Sequence, residues 1–200
     1  GSGIVSLAFA EHAKQVTGID ITPEMLKQAE KQQRIRKMHN VEWLLAKADH
    51  LPFADNSFSV VVSRFSFHHF LNPGKVFDEM FRVCKIGGTV VLVDVAVAKA
   101  HAEQYDFMEK IRDPSHASVK SAEELESFFL KAGMRNIRSD KYEMRIELEE
   151  QLKASFSEDG KLLRQMIIGN VDTDKLGIRV KKEGGTFHLF YPIHILAANK

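Results

Sequence analysis

Residues 15–35 read QVTGIDITPEMLKQAEKQQRI, and this stretch decides the fold class. Residues 15–21 are short, β-branched and closed by an acid, Asp20, which suits a buried strand. Thr22-Pro23 then reads as a helix N-cap followed by proline at the first helical position. Met25, Leu26, Ala29 and Ile35 recur at roughly helical spacing with charges between them. A strand that hands over to a helix in two residues is the repeating unit of a parallel α/β sheet.

The same alternation continues outward. Upstream, Gly1-Ser2-Gly3 leads into Ile4, Val5, Leu7, Ala8, Phe9, Ala10 and Ala13, which predicts a closely packed helix. Downstream, residues 41–46 and 58–63 predict strands, with turns at Leu51-Pro52-Phe53 and Asp55-Asn56-Ser57. Asn72-Pro73 repeats the cap-then-proline signal and opens a helix through Val76, Phe77, Met80, Phe81 and Val83. Residues 89–97, TVVLVDVAV, form a nearly unbroken β-branched run, as in a strand covered on both faces. Beyond Val97 the rhythm changes. Residues 99–112 predict a helix, and Ser121 to Glu124 is a capping box opening another to Ala132, with Gly133 as its stop. Residues 136–146 predict a strand. Residues 147–180 are charged and read as a helical cap inserted before a terminal strand at 187–198, where Pro192 implies a bulge or a gap in the ladder.

The chain has 200 residues and 44% hydrophobic content, ordinary for a globular protein, and it reads as one domain, residues 1–200. Its 28 Lys+Arg against 27 Asp+Glu leave a net charge of +1, which argues against nucleic acid or an anionic membrane as a partner recruited by bulk charge. A single Cys84 excludes an internal disulfide and a Cys-cluster zinc site, and no metal is expected. No apolar run reaches the ~18–20 residues of a membrane span, and no signal peptide opens the chain, so the cytoplasm is the expected compartment. Fourteen of the 18 aromatics are phenylalanine, seven of them between Phe53 and Phe81.

Three acids follow or sit in strands: Asp20, Asp49 and Asp94. Ligands of open α/β sheets collect at the carboxyl ends of strands. Asp20 can accept the hydroxyls of a ribose, or simply cap the next helix. Asp94 lies within an apolar run and needs a partner if buried, whether its role is structural or substrate-facing. Gly1-Ser2-Gly3 reads either as a tight loop letting backbone N–H groups approach a ligand or as a short Gly/Ser remnant.

Taken in order, GSG, TGIDITPEML, AKADHLPFADNSFSVVVSRFSFHHFLNP and FDEMFRVCKIGGTVVLVD resemble the class I S-adenosylmethionine-dependent methyltransferases. Within them the chain is most similar to the ubiquinone/menaquinone-biosynthesis branch. The resemblance covers residues 1–97, the cofactor-binding half, and leaves 98–200 as the substrate-side half. It implies a Rossmann-like, doubly wound, mostly parallel sheet with an antiparallel C-terminal strand, and S-adenosyl-L-methionine as cofactor. Gly1 and Gly3 would end the Gly-rich loop. Asp20 would bind the ribose, with Ile21 and Met25 against the adenine. Asp49 would accept from the adenine amino group beside the backbone of His50, and Ser63 and Arg64 would meet the cofactor's amino group. The family's first strand should precede the glycines, so an incomplete N-terminus is expected.

Methyl transfer is an in-line displacement in which the protein chiefly aligns the acceptor and excludes water. A base is needed when the acceptor carries a proton. His68 and His69 follow the strand at 58–63 and can serve as base, or form a structural turn. His116 sits further on, in a loop that can close over substrate. Arg112 can bind a carboxylate or make a surface salt bridge. Phe67 and Tyr105 join Arg112 as substrate-facing candidates, with Phe65, Phe70 and Phe107 as further pocket or core aromatics. The expected activity is methylation of oxygen, nitrogen or carbon in a small organic molecule, by a chain that can form a homo-oligomer. The competing readings are a nicotinamide-dependent oxidoreductase, whose third fingerprint glycine is replaced by Ser6, and a non-catalytic binding protein of the same fold.

Overall fold

In the computed structural model, residues 1–157 and 159–200 are described, so Glu158, inside the expected insertion, lies outside the described residues. Helix α1 spans Ile4–Ala10 and buries Leu7 and Ala10. Strand β1 is Val16–Asp20 and β2 is Val41–Leu45, paired in parallel register from Val16↔Val41 to Asp20↔Leu45. Helix α2, Pro23–Ile35, connects them and has proline in its first turn as the sequence predicts. Gly18 in β1 lies under the face of Trp43 in β2, so closely that a Cβ there would come 2.3 Å from the ring.

Strand β3 is Phe58–Arg64 and β4 is Cys84–Val95. Helix α3, Pro73–Val83, joins them, its N-terminus closed by Asn72 Oδ1 accepting from the Lys75 amide at 3.2 Å. β4 has core on both faces, as its apolar run requires. Val90, Leu92 and Ala96 pack with Phe77 and Met80 of α3 and with Leu125 and Phe129 of α5 (Ala122–Lys131). Val93, Val95 and Val97 belong to the opposite core, with Tyr105 and Met108 of α4 (Lys99–Arg112). The capping box at Ser121 is formed, and Gly133 ends α5's segment at a φ of +79°.

β5 is Arg138–Glu147, and β7, Thr186–Asn199, runs antiparallel to both β5 and β4. The larger sheet therefore has the order β3-β4-β7-β5, with β7 alone reversed, and β1-β2 forms a separate two-stranded sheet. The expected insertion at 147–180 is only partly helical. It contains α6, Leu148–Lys153, and α7, Gly160–Ile168, but ends in a strand, β6, Arg179–Glu183. β6 forms because Gly184-Gly185, at φ +58° and +89°, turns the chain back in a two-residue hairpin.

β4 and β6 occupy successive stretches of the same β7 edge. The β4 ladder stops at Val95↔Ile193 and the β6 ladder starts at Arg179↔Phe190. Pro192 sits in the interval, its carbonyl accepting from the Ala96 amide at 3.0 Å. A residue's N–H and C=O share one side of a strand, so the donor that proline lacks faces this break. The expected gap in the ladder is there, with no bulge: pairing with β5 runs through Glu143↔Pro192 in unbroken register.

Candidate functional site

Two groups of expected site residues form at the carboxyl ends of strands. At the end of β1, Asp20 Oδ1 accepts from the Thr22 amide at 2.7 Å, and Oδ2 is paired with the Gly1 amino group. Burial pushes the Asp20 carboxyl up, but these hydrogen bonds outweigh it and hold the pKa below the ordinary carboxylate range. Gly3 precedes α1 at a φ of +86°, and a Cβ there would meet the Ala29 Cβ and the Trp43 ring at 2.9 Å. Gly3 is thus fixed by both backbone conformation and close packing. Ile21 is 64% exposed beside Asp20, and Met25 is half-buried one turn into α2. Asp49 and His50 lie in the exposed turn beyond β2, and the Asp49 side chain makes no hydrogen bond among the described residues. Asp49 does not close a strand: β2 ends four residues earlier.

The second group gathers where β3 and β4 end. Ser63 and Arg64 are the last residues of β3, paired with Leu92 and Val93. The next residue, Phe65, has φ +52°, and its ring lies 4.0 Å below the Arg64 guanidinium. A bulky side chain in the left-handed region is strained by about 1–3 kcal/mol. The chain then forms a 3-10 turn at Phe67–His69. Phe67, expected to face substrate, is instead a core residue: 1% exposed and packed edge-on against Phe70 and Phe128. The turn points its ring inward because its amide is held by Asp94 Oδ2 at 2.8 Å.

Asp94 is the anchor of this end. It is 1% exposed in β4 and accepts three hydrogen bonds: from Phe67 N, from Val95 N at 2.8 Å, and on Oδ1 from His68 Nδ1 at 2.6 Å. A carboxylate only accepts, so His68 carries a proton on Nδ1 and donates it to Asp94. His69 differs. Its Nδ1 faces the Ser115 carbonyl at 3.2 Å and the Ser115 hydroxyl at 3.1 Å, and burial, with a second imidazole alongside, lowers its pKa. The His68 carbonyl accepts from the amides of Ala117 and Ser118, so the 113–118 loop is fastened along the 3-10 turn.

That loop carries His116, which lies beyond α4. The His116 ring is 5.6 Å from that of His68, and its Nε2 is 2.7 Å from Asp106 Oδ1. Two Asp–His pairs therefore stand side by side. Arg112, offered by the sequence as a carboxylate binder or a surface salt bridge, makes a salt bridge to a buried partner, with Nε 2.7 Å from Glu109 Oε2. Tyr105, one helical turn before Glu109, is buried, and burial together with the Glu109 charge holds its phenol well above the ordinary value. Phe107 turns outward and is exposed. Asp106 and Glu109 were not marked by the sequence reading, although Glu109 and Arg112 at i,i+3 form a readable helical ion pair.

No helix among the described residues is long and apolar enough to cross a membrane. A methyltransferase-domain family model matches residues 1–92. The uncharacterized methyltransferase YcgJ of Bacillus subtilis is 32% identical over 131 residues, 64% of this chain and 52% of its own length. The demethylmenaquinone methyltransferase of Listeria monocytogenes is 37% identical over 81 residues, 40% of this chain and 34% of that one. The chain spans about half the length of the curated relatives first matched. The crystal structure of Bacillus subtilis YcgJ superposes with a TM-score of 0.87 at 25% identity, covering 100% of this chain and 88% of that one. BH2331 of Bacillus halodurans gives 0.86 at 27% identity, covering 100% and 89%.

Proposed function

We propose that this chain, which belongs to the class I S-adenosylmethionine-dependent methyltransferases, methylates a small organic molecule at the ends of β3 and β4. The observation that carries the reading is the buried Asp94 carboxylate orienting His68 there. Support for the quinone-biosynthesis branch is loose, the Listeria match covering 40% of this chain, so the acceptor is not taken from it.

The residues around Asp20 suit the cofactor. A carboxylate offers about four acceptor positions, and the Thr22 amide takes one on Oδ1, which leaves room for a pair of ribose hydroxyls. Exposed Ile21 and half-buried Met25 offer apolar surface to an adenine beside them. The turn after β2, with Asp49 and His50, would carry the outer edge of that base. S-adenosylmethionine, when bound, supplies a methyl group on a positively charged sulfur with a thioether as leaving group.

The chain's own part is positioning and proton handling. His68 Nε2 would take the proton from a hydroxyl or amino acceptor as the new bond to carbon forms. Asp94 keeps that nitrogen free by holding Nδ1–H and stabilises the imidazolium once it is made. His69 acts through Ser115 and fastens the 113–118 loop, which would exclude water from the transfer. Calorimetric titration with S-adenosylhomocysteine and with NADH tests the reading. Binding of S-adenosylhomocysteine alone is the expected result. Binding of NADH would favour an oxidoreductase, and binding of neither would favour a non-catalytic scaffold.

A further inference from the structure

Trp43 of β2, the one tryptophan of the chain, touches both segments assigned above to the cofactor. Its ring covers Gly18, two residues before Asp20 in β1, so closely that a Cβ there would collide with Cε3 and Cζ3. The Cη2 corner of the same ring reaches the loop before α1. A Cβ on Gly3 would stand 2.9 Å from that corner and from the Cβ of fully buried Ala29. At both contacts the indole meets bare main chain, with no side chain that could swing aside to absorb a shift. A displaced ring would therefore displace the Gly3 loop and the strand that carries Asp20.

The ring is in turn held by Gln33 of α2. Trp43 Nε1–H donates to Gln33 Oε1 at 2.6 Å, while Gln33 Nε2 donates to the carbonyls of Met38 and Val41 at 3.1 and 2.9 Å. An indole nitrogen only donates and a carbonyl only accepts, so turning the Gln33 amide over would break all three bonds. Gln33 thus anchors the pyrrole edge of the indole, which leaves the benzo edge to set the two glycines. The small core of Leu7, Ala10 and Val41 packs against the ring as well.

We propose that Trp43 and Gln33 are positioning residues for S-adenosylmethionine: the indole sets the Gly3 loop and the Asp20 end of β1 relative to each other, and Gln33 sets the indole. This rests on reading those two segments as the cofactor site. A ring that served packing alone would contribute to stability and stay silent when the cofactor binds.

In the test, S-adenosylhomocysteine is titrated into the unsubstituted chain while Trp43 is followed by its emission and its indole 1H–15N signal. Both are expected to move in step with binding measured by calorimetry. Gln33→Leu removes the acceptor of the indole N–H, and Trp43→Phe shortens the ring so that it no longer reaches Gly3. Each should weaken binding about fivefold or more. Leu163→Ala, a cavity in the buried core of α7, controls for lost stability and should stay within about twofold. Circular dichroism establishes folding, and if neither site variant folds, the response of Trp43 in the unsubstituted chain decides. A Trp43 that stays silent on binding overturns the proposal. Unchanged affinity in folded Gln33→Leu and Trp43→Phe also overturns it, as does an equal loss in Leu163→Ala. No binding of S-adenosylhomocysteine to the unsubstituted chain would instead remove the cofactor reading, and this role with it.

Discussion

Asp94 Oδ1 lies 2.6 Å from His68 Nδ1, and the same carboxylate holds the amide of Phe67, the residue before that histidine. One side chain of β4 thus fixes both the backbone of the 3-10 turn and the tautomer of the ring it carries. Replacing Asp94 by Asn keeps the shape but gives the buried site a donor where it needs an acceptor. Asp94→Asn should lose about 1–3 kcal/mol of stability. Long-range 1H–15N spectra should show His68 moving from a single Nδ1–H form to a mixture. A tautomer that stays put would mean that Asp94 does not set it.

Asp20→Ala removes the acceptor assigned to the ribose. Charge-assisted hydrogen bonds contribute about 1.5–3 kcal/mol, so S-adenosylhomocysteine affinity should fall at least about tenfold. Circular dichroism would establish that the variant is folded. Unchanged affinity in a folded variant takes Asp20 out of the site.

Glu79 gives a pH dependence remote from that site. Its hydrogen bonds to Arg82 outweigh burial, and the Leu51 amide adds to them, so its pKa is held down at about 2, well below the ordinary carboxylate range. Arg82 also reaches the carbonyls of Leu51 and Phe53, tying the 51–55 turn to α3. With the folded pKa below the unfolded one, the stabilisation is complete above the unfolded value and is lost as pH falls towards the folded one. Urea unfolding should show Glu79→Gln less stable by about 1–3 kcal/mol near neutral pH. That difference should fade between pH 4.5 and about 2. A difference constant over that range contradicts the assignment.

Gly3→Ala combines a left-handed backbone with a Cβ 2.9 Å from both Ala29 and Trp43. The expected loss is about 1–3 kcal/mol in thermal or urea unfolding. A neutral substitution would show that the segment before α1 can shift freely.

The parts of the fold that could be read from sequence are those where a local rule and the tertiary structure agree. Thr22-Pro23 and Asn72-Pro73 start helices, and the run from Thr89 to Val97 is a strand with core on both faces, ending two residues early at Val95. Gly184-Gly185 carried an equally plain hairpin signal. The flanking Lys181, Lys182 and Glu183 carry no apolar alternation to mark a strand, and Val180 is the one buried residue of β6. The site was legible as a set of strand-end residues, but not as pairs. Which acid would orient which histidine depends on Asp94 and His68, 26 positions apart, and on Asp106 and His116 meeting across a loop. Phe67 was misassigned because its neighbours in sequence face the site, whereas a 3-10 turn sends successive side chains in different directions.

The 14 residues of β7 bear on both β4 and β6 along one edge, with Pro192 at the join. The inserted segment is therefore riveted at its far end to the strand that braces Asp94. A swing of the whole insertion would have to break ladder bonds of the main sheet. On the proposed function, admission of a small molecule would fall instead to the stretch from Asp113 to Ser118, whose latches to the turn are two amides on the His68 carbonyl and the Ser115–His69 contact. Opening that stretch leaves the sheet intact, so gating and folding stability can be altered independently.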